Sequence, residues 1–159
     1  MVPTIIYGLL GLFALVLLWS VVSVSRGVKC GEKKLTIDQA RLEFHQQRGE
    51  LQQLFFETAA GSGRPRGLRW VQCDFATDTT FARESESGQL RALVAVTIQF
   101  EAIEGGDMEE VEAVGNLRAA TAVFIHDHQQ WSTAGRTVFN HDPEQTLDRF
   151  NHELEALPT

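Results

Sequence analysis

Apolar and polar positions change their rhythm several times along the chain, and the first regime is an almost unbroken apolar run. From Ile5 to Val24, 16 of 20 residues are apolar, the exceptions being Gly8, Gly11, Ser20 and Ser23. Twenty helical residues at about 1.5 Å each span about 30 Å, the hydrocarbon thickness of a bilayer. The pattern predicts a transmembrane helix within an anchor over residues 1–25. Tyr7 and Trp19 lie toward its two ends, where amphipathic rings favour the headgroup region. A cleaved leader would carry a basic start and a shorter apolar core, of roughly 7 to 15 residues. Ser23 and Ser25 offer small residues for cleavage, but no basic residue precedes the run.

Past a basic stretch at 26–35 the periodicity becomes helical. Thr36 followed by Gln39 is a capping-box start, and Ile37, Ala40, Phe44, Leu51, Leu54 and Phe55 recur at helical spacing until Gly61 and Gly63. These positions predict one long amphipathic helix over 37–60, with its apolar stripe interrupted at Gln47 and Arg48. Leu54 is expected in the core with Phe44, Leu51 and Phe55.

The rhythm then becomes strand-like. Leu68 to Phe75 alternates, with Val71, Cys73 and Phe75 on one face, and Thr79 to Arg83 is a weaker strand. Leu90 to Ile103 is the strongest. Leu90, Ala92, Val94, Val96, Ile98, Phe100 and Ala102 fall on one face, and Arg91, Thr97, Gln99 and Glu101 on the other.

Gly105-Gly106 predicts a two-residue hairpin returning through Val111 and Val114 into 119–125, with a bulge at Gly115. A turn at 127–130 leads to a last strand over 131–139. Asp142-Pro143-Glu144-Gln145 then reads as a helix start, and Leu147, Phe150, Leu154 and Leu157 as the stripe of a closing helix.

The expected fold class is therefore α+β: one N-terminal transmembrane helix, then a soluble domain over 36–159. In that domain a long helix packs on a curved antiparallel sheet of four or five strands, followed by a C-terminal helix. This element order resembles the cystatin-like and nuclear-transport-factor-like arrangement, which serves enzymes, binding modules and assembly subunits alike.

Charge changes the picture in two ways. No charged side chain occurs before Arg26, whereas Arg26, Lys29, Lys33 and Lys34 follow the apolar run directly. Cytoplasmic flanks carry the positive excess, so the soluble domain is expected in the cytoplasm. Past Lys34 there are 10 Arg, no Lys and 20 acidic residues, a net of −10. A domain so acidic is a poor nucleic-acid binder. Two cysteines, Cys30 and Cys73, make no disulfide framework for a domain of this size, although in an oxidising compartment they could pair.

The candidate chemistry is sparse. In the predicted hairpin Glu101 opposes Glu110 and Gln99 opposes Glu112, so the carboxylates of Glu101, Glu110 and Glu112 share one face. Directly opposed like charges in a sheet destabilise it, so this acidic cluster is either well solvated, or offset by Arg91 or Arg118, or bridged by a cation. His126 and His128 form an H-x-H pair that lacks a third ligand for a metal. Arg64, Arg66 and Arg69 make the one basic cluster of the domain, in and after a glycine-rich loop, suited to an acidic partner or a lipid headgroup. Trp131 and Arg136, on the last predicted strand, are the candidate anchors of an interface or a pocket.

No Gly-x-Ser-x-Gly, Walker or His-Glu-x-x-His motif occurs. No cofactor or metal is expected. The chain reads as a single-pass membrane protein with a non-enzymatic interaction domain, binding another protein or a second copy of itself. The competing reading is a domain that binds a small molecule or lipid headgroup on its concave sheet face, with or without catalysis.

Overall fold

A computed structural model describes residues 37–62 and 67–158. The predicted span over 5–24, the basic stalk, Arg64 and Arg66 lie outside these residues. Among the described residues no helix is long and apolar enough to cross a membrane.

Residues Glu43–Thr159 form one compact unit. Helix α1 (37–62) leads into strands β1 (Leu68–Phe75), β2 (Thr80–Glu84) and β3 (Leu90–Ala102). A 3-10 turn at Glu112–Gly115 precedes β4 (Arg118–Asp127), β5 (Gln130–Ser132), β6 (Thr137–Phe139), helix α2 (Pro143–Arg149) and β7 (Leu154–Ala156). All pairings are antiparallel, in the order β5-β4-β3-β2-β7. The long β3 takes β1 along its C-terminal half, beside β2, and β4 takes β6 beside β5. Among the described residues the sheet thus holds seven short and long strands rather than four or five.

From Phe44 onward α1 buries Phe44, Leu51, Phe55 and Ala59, a spacing of three and four that keeps one face toward the sheet. Phe44 meets Phe81, Phe124 and Trp131 edge-on at 5.7, 5.4 and 4.9 Å, and Phe55 meets Phe75 and Phe124 at 5.6 and 5.7 Å. Leu54 departs from expectation: it is 42% exposed, on the flank of the stripe. Arg48, where the stripe is interrupted, ties the helix to the β1–β2 turn. Its guanidinium donates to the carbonyls of Ala76 and Thr77 and, at 2.9 Å, to Thr79 Oγ1. The interruption in the apolar pattern is therefore a polar clamp.

Strand β1 carries a bulge between Trp70 and Gln72. The extra residue reverses the alternation, so Trp70 opposes Phe100 while Cys73 and Phe75 oppose Ile98 and Val96, all on the α1 side. Val71, expected beside Cys73, is instead 46% exposed.

The tight hairpin after β3 does not form. Strand β4 pairs with β3 only from Arg118, opposite Ile98, and residues 103–117 make successive turns: Gly106 N donates to Ile103 O, Glu109 N to Gly106 O and Val111 N to Met108 O. Pairing through 109–112 would have set Glu110 against Glu101, whereas pairing from 118 buries Ala120, Ala122 and Phe124 under α1. The observed register sets Ala120 and Ala122 beside Val96 and Val94 on the α1 face, where the alternation alone would also have allowed them on the second face. The second face carries Leu93 and Val123, buried beside Thr146, Phe150 and Leu154, and Thr121, whose hydroxyl donates to His141 O at 2.8 Å.

Two further departures lie near the C-terminus. The predicted strand over 131–139 is broken into β5 and β6 by the turn containing Gly135, which has φ +69°. The closing helix begins as expected, with a reciprocal capping box between Asp142 and Gln145 and Pro143 in its first turn. It ends at Arg149, however, and Leu154–Ala156 pairs with β2 as an edge strand.

Candidate functional site

One opening formed by this topology lies on the α1 side of the sheet, beside β1, β3 and β6. The bulge turns Trp70 inward over Phe100 at 5.1 Å, and Phe139 follows at 6.3 Å from Phe100 and 6.5 Å from Trp70. Loop 103–117 closes one side. It is tied to the start of β1 by the Ile103 amide, which donates to Gly67 O at 2.8 Å, and its 3-10 turn buries Val114. The result is a cleft of about 330 Å³ walled by Leu68, Phe100, Met108, Val111, Val114 and Phe139, with Arg118 and Asn140 at a polar end. Its volume falls at the small end of ligand-binding clefts, which run from about 300 to 1,000 Å³. Phe139 and Val111 remain 41% and 40% exposed.

The residues singled out in the sequence are dispersed around this cleft rather than gathered in it. Arg69 and Glu101 pair with each other across β1 and β3, both exposed, so the basic cluster and the acidic cluster partly cancel. Glu110 and Glu112 sit on loop 103–117 and do not oppose Glu101 or Gln99. Neither Arg91 nor Arg118 relieves the acidic face: Arg91 bonds Glu84 at 2.7 Å, and Arg118 donates to Ala113 O at 3.2 Å.

Trp131, a candidate anchor of an interface or a pocket, is a core residue. It pairs with His126 across β4 and β5, and its indole lies between Phe44 and Phe81 with 6% exposure. Arg136 points to the opposite side of the sheet, its guanidinium 5.3 Å from the Phe150 ring. Trp131 and Arg136 therefore share no site. Arg136 instead lines a small cavity of about 20 Å³ with Glu84, Arg91, Thr146 and Glu153, room for about one water-sized group. Hydrogen bonds from Ser87 and then Arg91 hold the Glu84 carboxyl below the ordinary carboxylate range, so it stays ionised.

The histidine pair is also split. His126 packs at a tilt against Trp131, 5.0 Å between ring centroids, with Nε2 4.0 Å from Glu43 Oε2, whereas His128 stands exposed in the β4–β5 turn at φ +46°. Among the described residues no three His, Cys, Asp or Glu side chains gather as a metal site. Burial, with a smaller push from Asp74, raises the Cys73 thiol to about 11, which leaves too little thiolate near neutrality for nucleophilic work.

Sequence reading missed the cleft because its walls come from four separated stretches. Alternation places Phe100 on the core face of β3, and Val111 and Val114 on a strand. The available signal was the apolar residues Met108 and Val111 set among the acidic residues of the loop, where solvent exposure has no packing reward. No family model matches the chain, and no curated protein or solved structure is significantly similar to it.

Proposed function

We propose that the chain is a membrane-anchored interaction protein. Residues 5–24 span the bilayer, the basic stalk follows on the cytoplasmic side, and the α+β domain binds a protein through the cleft beside Phe139. The observation that carries the reading is the cleft itself: a concave apolar wall whose Phe139 and Val111 remain solvent-accessible although better-buried positions exist on the same sheet. Exposed aromatic and aliphatic groups rimmed by polar residues are the usual mark of an association surface. The cystatin-like and nuclear-transport-factor-like arrangement that the element order suggests would leave such a surface at the open end of the sheet. Trp131 has no part in this surface, and Arg136 none in the cleft.

The test is photocrosslinking in intact membranes. A photoreactive phenylalanine analogue at Val111 should give a discrete adduct of higher mass, and the same group at Glu144, on the outer side of α2, should give none. Equal labelling at the two positions, or none at Val111, refutes the cleft as the binding surface. Protease protection of a reporter fused after Thr159 checks the orientation: digestion from outside the cell reverses it.

The second reading, a small apolar ligand in the same cleft, is favoured by one observation, its volume of about 330 Å³. Co-purification of a small molecule from the detergent-extracted chain, lost on Phe139→Asp, would put it first.

A further inference from the structure

The charge around the cleft selects among partners. Loop 103–117, which supplies Met108, Val111 and Val114 to the wall, contains Glu104, Asp107, Glu109, Glu110 and Glu112 and no basic residue. The carboxylates alternate with the wall residues, so apolar groups turn into the cleft while the acids stay at its margin, all five exposed. Glu109 is occupied by the Gly105 amide at 2.9 Å. Among the described residues Asp107, Glu110 and Glu112 have no hydrogen-bonding or ion-pairing partner for their side chains. Among the described residues that line the cleft the one cation is Arg118, whose Nη2 already bonds the Ala113 carbonyl of the same loop.

We infer that the cleft takes a cationic amphipathic peptide segment, whose apolar side chains enter beside Phe139 and Val111 and whose Lys or Arg side chains meet Asp107, Glu110 and Glu112. This rests on the cleft being the binding surface. Three exposed carboxylates without partners at one margin raise the local concentration of cationic segments and discriminate against acidic ones, because juxtaposed like charges are costly at an interface. Among the described residues at the cleft an anionic amphiphile would meet one arginine, Arg118, and at least three carboxylates. The same field works against a second copy of the acidic domain docking in this cleft by its own loop 103–117.

The full chain in zwitterionic lipid nanodiscs provides the test, with empty nanodiscs as the reference surface. The probes are two end-capped amphipathic peptides of the same length and apolar pattern, one built from Leu and Lys and the other from Leu and Glu. The Leu/Lys peptide should bind at least 10-fold more tightly than the Leu/Glu peptide, with a preference that shrinks as salt screens the charges. The double variant Glu110→Gln/Glu112→Gln changes only exposed groups and should remove most of that preference. Phe139→Ser should weaken the Leu/Lys peptide at least 10-fold, and a near-native circular dichroism spectrum shows that the fold survives. Equal binding of the two peptides, or a preference untouched by the double variant, overturns the inference while leaving the cleft in place. Failure of both peptides with a chain that still crosslinks through position 111 does the same. Failure of both peptides without a crosslink removes the cleft reading as well.

Discussion

Gly135 is the point where the sheet's own connection touches the long helix, and replacing it tests the packing of the whole unit. The turn between β5 and β6 passes directly over α1. A Cβ on residue 135 would lie 2.6 Å from the Ala59 nitrogen and 2.8 Å from its Cα, both backbone atoms that no rotamer change can move. Favourable carbon contacts begin near 3.5 Å, so helix and turn must separate by close to 1 Å. Overpacking of this kind costs about 1 to 3 kcal/mol. Residue 135 also has φ +69°, a conformation that costs an L-residue with a side chain a further 1 to 2 kcal/mol or so.

Reduced freedom of the unfolded chain returns about 0.4 to 1 kcal/mol, leaving a net loss of about 1 to 4.6 kcal/mol for Gly135→Ala. Gly88 supplies the internal control, since it has nearly the same φ, +72°, with nothing within 4 Å of an added Cβ. Gly88→Ala should cost about 1 kcal/mol, the conformational part alone. Urea unfolding of the full chain in detergent, followed by tryptophan fluorescence, gives both values. Losses for the two variants within about 0.5 kcal/mol of one another would mean that α1 does not lie against this turn.

Three further outcomes follow from burial and charge. Phe55→Ala should lose about 3 to 5 kcal/mol, since Phe55 is fully buried between Phe75 and Phe124, whereas Leu54→Ala at a 42% exposed site should lose about 1 kcal/mol or less in the same unfolding assay. With its thiol raised to about 11, Cys73 should resist iodoacetamide at pH 8 in the native state and react on unfolding; because the native value lies above the unfolded one, its contribution to stability holds at neutral pH and fades as pH rises from about 9 toward 11. Glu84 runs the other way: its lowered native value contributes stability above the ordinary carboxylate range, and this is lost as pH falls through the native value, so Glu84→Gln should flatten the acid limb of a stability profile.

What the sequence determined by itself is what local periodicity and local chemistry enforce. Alternation in 90–102 could satisfy only a strand with Leu90, Ala92, Val94, Val96 and Ile98 on a buried face. Spacing in 44–59 could satisfy only a helix. The Asp142-Pro143-Gln145 start needs no distant partner, because the cap bonds within one turn. The tertiary structure alone decided the register of β4, since Gly105-Gly106 is compatible with either a tight hairpin or a longer turn. The choice fell to where Ala120, Ala122 and Phe124 meet α1.

The bulge at Val71 was likewise invisible locally, as one extra residue leaves the alternation on each side intact and reverses only the relation between the two halves. The same kind of nonlocal decision sent Trp131 into the core, where Phe44 had to be covered, and turned Leu154–Ala156 from a helix stripe into an edge strand against β2. It also assembled the cleft. Leu68, Phe100, Val111 and Phe139 are far apart along the chain, and only the pairing of β1, β3, β4 and β6 brings their side chains to one wall. Periodicity assigns a residue to a face, but which faces meet, and which are left open, depends on contacts between segments that no local pattern encodes.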